Sequence, residues 1–237
     1  RADLDGTNIE LLVNAGGTPR DVALDLAAQK LYWIEAAGAG IRRCDLDGSS
    51  IETVYDLNGS QGSGISIDWV DGKVYWINSS GVHHVNLDGS SLNLFFLADN
   101  GFARDLDLER TSGHVYWANQ QFQFIAEATI PGGIRTNETF VLGCQPNGVA
   151  VDPATQFLFW TCTSPIGVGR GLTDWSDLTT IIAQPGSEPL GIAIGPLPVP
   201  FVDVPTVSQW GVVVMACLLL GVGANLVRRG RVHESSR

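Results

Sequence analysis

Four acidic residues recur at a regular spacing and are the first candidates for a chemical site. They lie 43, 41 and 43 residues apart, and each closes a short apolar-rich run: Asp25, Asp68, Glu109 and Asp152. Carboxylates that ring a channel could hold a cation such as Ca²⁺. A catalytic or metal-binding group is usually needed once, however, whereas these acids recur in every unit. We therefore predict a structural role for them, and no cofactor.

The histidines give no clear sign of a metal site. His83 and His84 occupy a strand position that Arg42 and Arg43 hold one unit earlier, which favours structural side chains over metal ligands. The sequence also lacks a GxSxG elbow, an HExxH motif, a paired cysteine cluster and a glycine-rich phosphate loop. We therefore predict no catalytic residue.

The acids belong to an internal repeat of 41 to 43 residues. Seven residues after each acid stands an aromatic pair, and the pairs are Tyr32-Trp33, Tyr75-Trp76, Tyr116-Trp117 and Phe159-Trp160. Leu-Asp-Gly turn signals keep the same period, beginning at Leu4, Leu46 and Leu87 and continuing as degenerate copies at Ile130 and Leu172. Because the aromatic pairs follow this period on predicted strands, we expect core packing between repeats rather than a sugar-stacking surface.

Each unit contains four short β-rich runs separated by turns. Four antiparallel strands in about 42 residues are typical of a β-propeller blade. No amphipathic helix is predicted before Val204. We therefore predict an all-β propeller over residues 1–195, with about four complete blades and partial ones at both ends. The last partial blade is an inner strand at Pro189 to Ile194. We expect the ring to be open, and the full protein to carry about one more blade and a signal peptide upstream.

The repeat resembles the YWTD repeats, or class B repeats, of low-density-lipoprotein receptors. The runs R-A-D-L-D-G-T-N and P-R-D-V-A-L-D, followed by K-L-Y-W-I, carry the resemblance, which covers about residues 1–195. It implies an extracellular six-bladed propeller that binds proteins or has a structural role, without catalysis. The family favours aspartate at the fourth motif position, where this chain has Glu35, Asn78, Asn119 and Cys162.

The charge of the chain argues against a nucleic-acid partner. Ten basic and 24 acidic residues precede Val204, a formal charge of −14 that repels phosphate backbones, so we predict no nucleic-acid partner.

Two cysteines, Cys144 and Cys162, flank one predicted hairpin. They could form a disulfide in an oxidising compartment or remain two buried thiols.

The C-terminal region has the composition of a membrane anchor. A proline-rich linker at 196–203 precedes Trp210 to Val227, which are 18 residues without a charge, near the lower limit for a spanning helix. Arg228, Arg229 and Arg231 follow as a basic stop, which indicates a cytoplasmic C-terminus. We predict a single transmembrane helix that contacts the membrane through residues 211–227, and a short tail at 232–237.

The start of this region resembles the IPTL-type C-terminal sorting signal of bacterial envelope proteins. The matching residues are Val204, Pro205, Thr206, Val207, Ser208, Gln209, Trp210 and Gly211. The resemblance, over residues 204–231, implies export and handling by an exosortase-like enzyme. Cleavage near the motif would leave the mature protein without a transmembrane helix.

Two functions agree with these patterns. We favour a noncatalytic, exported propeller at the cell surface or outer envelope that binds an extracellular protein or glycan and is anchored or sorted through its C-terminus. The alternative is a metal-dependent propeller hydrolase similar to lactonases. Such an enzyme would draw its ligands from Asn78 and Asn119, or from Asn147 with Asp152. A structural envelope component without a specific ligand is a third hypothesis.

Overall fold

A computed structural model describes residues 1–3, 5–36, 40–97, 103–130, 132–141, 143–183, 189 and 191–194. The predicted linker, the sorting motif at 204–211, the apolar span, the basic stop and the tail lie outside the described residues. Among the residues that are described, no helix is long and apolar enough to cross a membrane.

The described residues form sixteen strands in four antiparallel sheets, each a four-stranded meander. In chain order the strands are β1 (Pro19–Asp25), β2 (Lys30–Glu35), β3 (Ile41–Asp45), β4 (Glu52–Tyr55), β5 (Gly64–Asp68), β6 (Lys73–Asn78), β7 (Gly81–Asn86), β8 (Asn93–Leu97), β9 (Ala103–Glu109), β10 (His114–Asn119), β11 (Phe124–Thr129), β12 (Arg135–Phe140), β13 (Pro146–Asp152), β14 (Phe157–Thr163), β15 (Ile166–Leu172) and β16 (Thr179–Ala183). We number the sheets blades 1 to 4. The four blades confirm the predicted all-β propeller.

The aromatic pairs lie on the second strand of each blade and pack between blades. Side chains alternate across a strand, so Tyr32 and Trp33 point to opposite faces of blade 1. Tyr32 belongs to an apolar cluster with Ile65 and Trp76 of blade 2. The eight aromatic residues of the four pairs are all 5% exposed or less. These large side chains therefore form much of the core between neighbouring blades.

The four repeated acids end the first strand of each blade and hold the turn that follows. The Asp25 carboxylate accepts a hydrogen bond from the Ala28 N–H at 2.9 Å. The Glu109 carboxylate accepts two, from the N–H groups of Thr111 and Ser112 at 2.9 and 2.6 Å. Asp68 and Asp152 bind the corresponding turn N–H groups in blades 2 and 4. Each acid thus satisfies backbone donors that the hairpin leaves unpaired.

The Asp-Gly signals form the outer turns, between the third and fourth strands. Gly48 has φ +88°, a conformation that favours glycine. The Asp47 carboxylate accepts hydrogen bonds from the Ser49 N–H at 2.9 Å and from its hydroxyl at 2.6 Å. Asp88 and Ser90 repeat this arrangement in blade 2, at 2.9 and 2.6 Å. The Asp-Gly signals therefore recur in the sequence because the outer turns of blades 1 and 2 are held by the same hydrogen bonds.

Cys144 and Cys162 form a disulfide, which decides between the two alternatives left open by the sequence. Their Cα atoms are 5.3 Å apart, and both residues are buried in the cluster between blades 3 and 4. The bond joins the segment before β13 to the end of β14. Cys44 is buried in blade 1 as a free thiol.

The two faces of the propeller differ in regularity. On one, which we call the turn face, the turn after the first strand meets the outer turn of the same blade, as where the Leu46 N–H donates to the Gln29 carbonyl. On the other, the loop face, turns between second and third strands meet the loops that join blades. There the Ala36 N–H donates to the Thr18 carbonyl. On the turn face, the repeated acid and the length of the turn after it recur in all four blades, whereas the turns of the loop face differ in length.

Candidate functional site

The innermost strands of the four blades enclose a central cavity of about 260 Å³. Strands β1, β5, β9 and β13 lie side by side in that order, and residues 191–194 follow beside β13. Apolar residues outnumber polar ones around the cavity, but the surface that they expose to it is mainly polar, and its polar residues are Asp21, Ser66, Asp105, Asp107 and Arg110. This channel is the candidate site because it brings buried charge from several blades together.

Three of these carboxylates join one blade to the next. The Ile65 N–H of blade 2 donates to Asp21 of blade 1 at 2.8 Å. In the same way, the Val149 N–H of blade 4 donates to Asp105 of blade 3 at 2.9 Å. Each acceptor lies 44 residues before its donor, so the contact repeats two blades later.

Asp107 of β9 makes the third link, and it joins its strand to the inner strands on both sides. It accepts a hydrogen bond from the Val151 N–H of blade 4 at 3.0 Å, and one from the Ser66 hydroxyl of blade 2 at 3.3 Å. The side chain therefore connects three successive inner strands. These strands belong to separate sheets, so such carboxylates supply hydrogen bonds across the gaps between blades.

Aspartate and glycine alternate at one position of the inner strands, four residues before the repeated acid. The series runs Asp21, Gly64, Asp105 and Gly148 from blade 1 to blade 4. A Cβ at Gly64 would lie 2.7 Å from the Asp105 Cα and 2.9 Å from the Leu106 nitrogen. The inner strands therefore approach too closely for side chains at every such position, and glycine makes room for the neighbouring aspartate.

The channel carboxyls hold protons more readily than exposed ones. Burial raises the pKa of Asp21 to about 6, while the hydrogen bonds from Ile65 and Val22 oppose that increase. Burial also raises the pKa of Asp105, and the nearby charge of Asp21 adds to the increase. The pKa of Asp107 is raised by burial as well. Two acids facing one another across a channel compete for a proton, because like charges repel in a poorly solvated space.

Asp105→Asn is expected to raise the free energy of unfolding near pH 8 by about 1 kcal/mol. A carboxyl whose pKa is raised in the folded state contributes stability that is present at about pH 4, below its unfolded pKa, and that is lost as the pH rises through its folded-state pKa. The asparagine keeps an acceptor for Val149 and removes the charge that faces Asp21. Urea unfolding at pH 4, 6 and 8 measures the effect, which should vanish near pH 4.

Asp88→Asn is the matched control for that experiment. Hydrogen bonds from Ser90 lower the pKa of the exposed Asp88, so its carboxylate stabilises the fold above about pH 4. The control variant should therefore lose stability at pH 8. If Asp105→Asn loses stability there too, the channel carboxyls do not repel one another as described.

The predicted site residues lie outside the cavity lining. Asp25, Asp68, Glu109 and Asp152 lie at the turns described above, and none of them lines the cavity. In the described part of the chain, no group of three or more His, Cys, Asp or Glu side chains is arranged to hold a metal ion. The alternating aspartates were not predicted, although aligning the repeats four residues before each acid would have revealed them.

The residues at the fourth motif position each have a structural partner. The Trp33 indole donates to Glu35 at 3.1 Å. The Asn78 side chain accepts hydrogen bonds from the N–H groups of Ser80 and Gly81, at 2.8 and 3.1 Å. In blade 3, Asn119 accepts one from the Phe122 N–H at 3.0 Å, and in blade 4 Cys162 is in the disulfide. Asn78 and Asn119 thus brace the turn between the second and third strands of their blades, whereas Glu35 binds within its own strand and Cys162 is bonded to the segment before β13.

The paired histidines pack against the aromatic pair of blade 2. The His83 ring stacks on Trp76 with centroids 5.2 Å apart, and its Nε2 lies 3.0 Å from the Ser80 hydroxyl. The His84 ring lies against Tyr75, with centroids 5.1 Å apart. Burial lowers the pKa of both histidines. Both imidazole rings therefore contribute to the packing of blade 2.

Sequence comparison finds partial relatives, and no family model matches the chain. The chain is 40% identical over 80 residues to low-density lipoprotein receptor-related protein 5 of Mus musculus, covering 33% of this chain and 5% of that protein. It is 33% identical over 86 residues to the 3-hydroxyacyl-CoA dehydrogenase-like protein LAM1 of Cochliobolus heterostrophus, covering 31% of this chain and 18% of that protein. The chain therefore matches less than a fifth of either relative. The similarity to lipoprotein receptor-related proteins agrees with the YWTD resemblance.

Solved structures share the fold at low identity. The nidogen/laminin complex contains a chain that matches with a TM-score of 0.68 and 16% identity, covering 78% of this chain and 72% of that one. A gluconolactonase from Xanthomonas campestris matches with a TM-score of 0.62 and 15% identity, covering 76% of this chain and 67% of that one. At these identities the matches show the propeller fold alone.

Proposed function

We propose that the chain is a noncatalytic propeller module of an exported envelope protein that binds an extracellular protein or glycan. The observation that carries this proposal is the use of the channel carboxyls. Asp21, Asp105 and Asp107 accept backbone hydrogen bonds that hold the blades together. A group with this structural task is poorly placed to exchange ligands or protons with a substrate. The partial similarity to lipoprotein receptor-related proteins supports a binding role.

The loop face is the surface we propose for binding. Its turns between second and third strands differ in length from blade to blade, although Asn78 and Asn119 each brace the turn that follows them. Blade 3, for example, presents the exposed Gln121 and the 44%-exposed Phe122 in its turn between β10 and β11. Specificity in repeat proteins depends on such varied loops, because repeated geometry presents the same groups several times over.

A photo-crosslinking experiment tests this proposal. A benzoylphenylalanine at Gln121, on the loop face, is expected to give a discrete adduct when the full-length protein is irradiated in the cells that make it. The same residue at Asp71, exposed on the turn face, is the control and should give none. Adducts at neither position, or only at Asp71, would contradict the proposed binding face.

The C-terminal region supplies attachment in this proposal. Residues 196–203 form a stiff spacer, the motif at 204–211 is read by an exosortase-like enzyme, and residues 211–227 cross the membrane before any cleavage. The basic stop at Arg228, Arg229 and Arg231 retains the C-terminus in the cytoplasm. Deleting residues 204–237 should move the protein from the membrane fraction to the medium or periplasm, which immunoblotting of cell fractions measures.

The second candidate function is a metal-dependent lactone hydrolase. Its support is the acidic cavity together with the fold shared with a gluconolactonase. The full-length protein should show no turnover of glucono-1,5-lactone with added Ca²⁺ or Zn²⁺ if the binding proposal is right. Metal-dependent turnover that Asp105→Asn abolishes and Asp88→Asn leaves intact would favour the enzyme instead.

A further inference from the structure

Polar residues occupy one position at the start of all four inner strands, directly before the alternating aspartates and glycines. From blade 1 to blade 4 they are Arg20, Ser63, Arg104 and Asn147. The position lies at the loop-face end of these strands, because the loops that join the blades lead into it. The four residues therefore lie around the opening of the channel on the loop face.

Both arginines of this series are the extra residues of β-bulges. In blade 1 the register of β1 against β2 shifts between Pro19 and Asp21, which makes Arg20 the extra residue. In blade 3 the register of β9 against β10 shifts at the same repeat position, and Arg104 is the extra residue there. A bulge redirects a side chain out of the regular alternation of a strand. Blades 1 and 3 thus present an arginine in the same way.

The two arginines lie close enough to affect each other electrostatically. Burial lowers the pKa of Arg104, and the positive charge of Arg20 lowers it further. Like charges held together repel, and an anion placed between them relieves that repulsion. The carboxyls that follow in sequence, Asp21 and Asp105, are bound to backbone N–H groups of the next blade. An anion from outside the chain is therefore the better counterion for this pair.

A chain of hydrogen bonds between blades 3 and 4 fixes Arg104. Its Nε donates to the Gln120 side chain at 2.8 Å. Gln120 donates in turn to the Thr163 hydroxyl at 3.2 Å, and that hydroxyl donates to the Gln145 carbonyl at 3.3 Å. A guanidinium has five N–H donors in a planar fork, so Arg104 can keep this bond while it binds a carboxylate. A side chain fixed in this way loses little freedom on binding a ligand.

Arg20 is exposed, and its side chain makes no hydrogen bond or ion pair with any residue that the structure describes. It lies in a domain whose residues before Val204 carry a formal charge of −14. A polyanion such as an acidic polysaccharide is repelled by the domain as a whole. A single carboxylate on a protein loop meets mainly the local positive charge of the channel opening. The charge distribution thus favours a protein over an acidic glycan.

We propose that the loop-face opening of the channel is a carboxylate-binding site, in which Arg20 and Arg104 hold an acidic side chain of a partner protein. The inference rests on the proposed binding function and names the group that the partner presents. A carboxylate between two guanidinium groups accepts charge-assisted hydrogen bonds, which are stronger than those between neutral groups. Ser63 and Asn147 offer a hydroxyl and an amide at the same position of blades 2 and 4.

Ligand-observed NMR of the full chain tests the site. The probe is N-acetyl-aspartic acid amide, which carries one carboxylate, and saturation transfer to its acetyl methyl group measures the dissociation constant. Arg20→Gln should weaken binding about tenfold, the loss expected for one charge-assisted hydrogen bond. Lys73→Gln is the matched control, because it removes the same charge at the start of β6, on the turn face, and should leave binding unchanged. The neutral N-acetyl-asparagine amide should not bind.

Four results would overturn the proposal. Three concern the site itself: equal binding of the aspartate and asparagine probes, equal binding of the aspartate probe by Arg20→Gln and Lys73→Gln, and no saturation transfer to the aspartate probe at all. The fourth concerns the occupant, since tighter binding of trigalacturonate than of the aspartate probe would indicate an acidic glycan instead of a protein.

The photo-crosslink at Gln121 separates this inference from the proposed function. With benzoylphenylalanine at that position, the yield of the adduct should fall about tenfold in Arg20→Gln and stay unchanged in Lys73→Gln. An adduct that is equally strong in both variants leaves the binding function intact and contradicts the carboxylate site. If the chain without these substitutions gives no adduct, the proposed binding face fails, and the aspartate probe still decides whether the site binds a carboxylate.

Discussion

Gly64→Ala is expected to destabilise the propeller by about 3 kcal/mol, the upper end of what overpacking costs. The added methyl would lie 2.7 Å from the Asp105 Cα and 2.9 Å from the Leu106 nitrogen, both backbone atoms of the adjacent inner strand. A backbone held by its own sheet cannot move aside as a flexible side chain can. Separating the strands would also disturb Asp105, whose carboxylate holds blade 4 through Val149.

Gly191→Ala is the matched control, at the same repeat position in the last inner strand. A Cβ there meets no described atom within 4 Å, so the substitution should change stability by less than about 1 kcal/mol. Urea unfolding of both variants, followed by tryptophan fluorescence, gives the comparison. If both variants lose the same free energy of unfolding, the close approach of β5 and β9 is not the reason for glycine at position 64.

Loss of the Cys144–Cys162 disulfide is expected to cost about 3 kcal/mol, because the bond closes a loop in the unfolded chain. The two residues are 18 apart in sequence and buried between blades 3 and 4, so the bond constrains the first hairpin of blade 4. A reducing agent should therefore lower the melting temperature of the protein. Differential scanning calorimetry with and without the reductant measures this change.

The double variant Cys144→Ala and Cys162→Ala provides the control for the disulfide. It should melt at the lower temperature from the start, and the reductant should not change it further. The buried thiol of Cys44 is present in both proteins and so does not affect the comparison. Thiol titration should first show that the wild-type disulfide is fully reduced. If the reduced protein still melts at its original temperature, the disulfide does not stabilise the fold.

Much of the fold could be predicted because its signals are local. The acid that closes each first strand and the Asp-Gly outer turn act within a single blade, and the aromatic pair follows the acid at a fixed spacing of seven residues. Each of them recurs, so one copy supports the interpretation of the next. The hydrogen bonds of Asp25 to Ala28 and of Asp47 to Ser49 span only three and two residues. Interactions of this range are visible as spacing in a sequence.

The channel could not be predicted in the same way. Asp21 binds Ile65, and Asp105 binds Val149, across 44 residues and between different sheets. Nothing near Asp21 in the sequence distinguishes it from an ordinary polar residue at a strand start. Its raised pKa comes from burial beside another carboxyl, which exists only when blades 1 and 3 enclose the same cavity.

The sequence by itself determined the all-β repeat and its four-stranded unit, because strand alternation and turn chemistry act between near neighbours. It also indicated that Cys144 and Cys162 could pair. Only the tertiary structure decided that they do, that the four repeated acids brace turns rather than line the channel, and that different aspartates line it. Those outcomes depend on which strands become neighbours around the axis. Side chains more than forty residues apart then share one poorly solvated space, and their energies depend on one another.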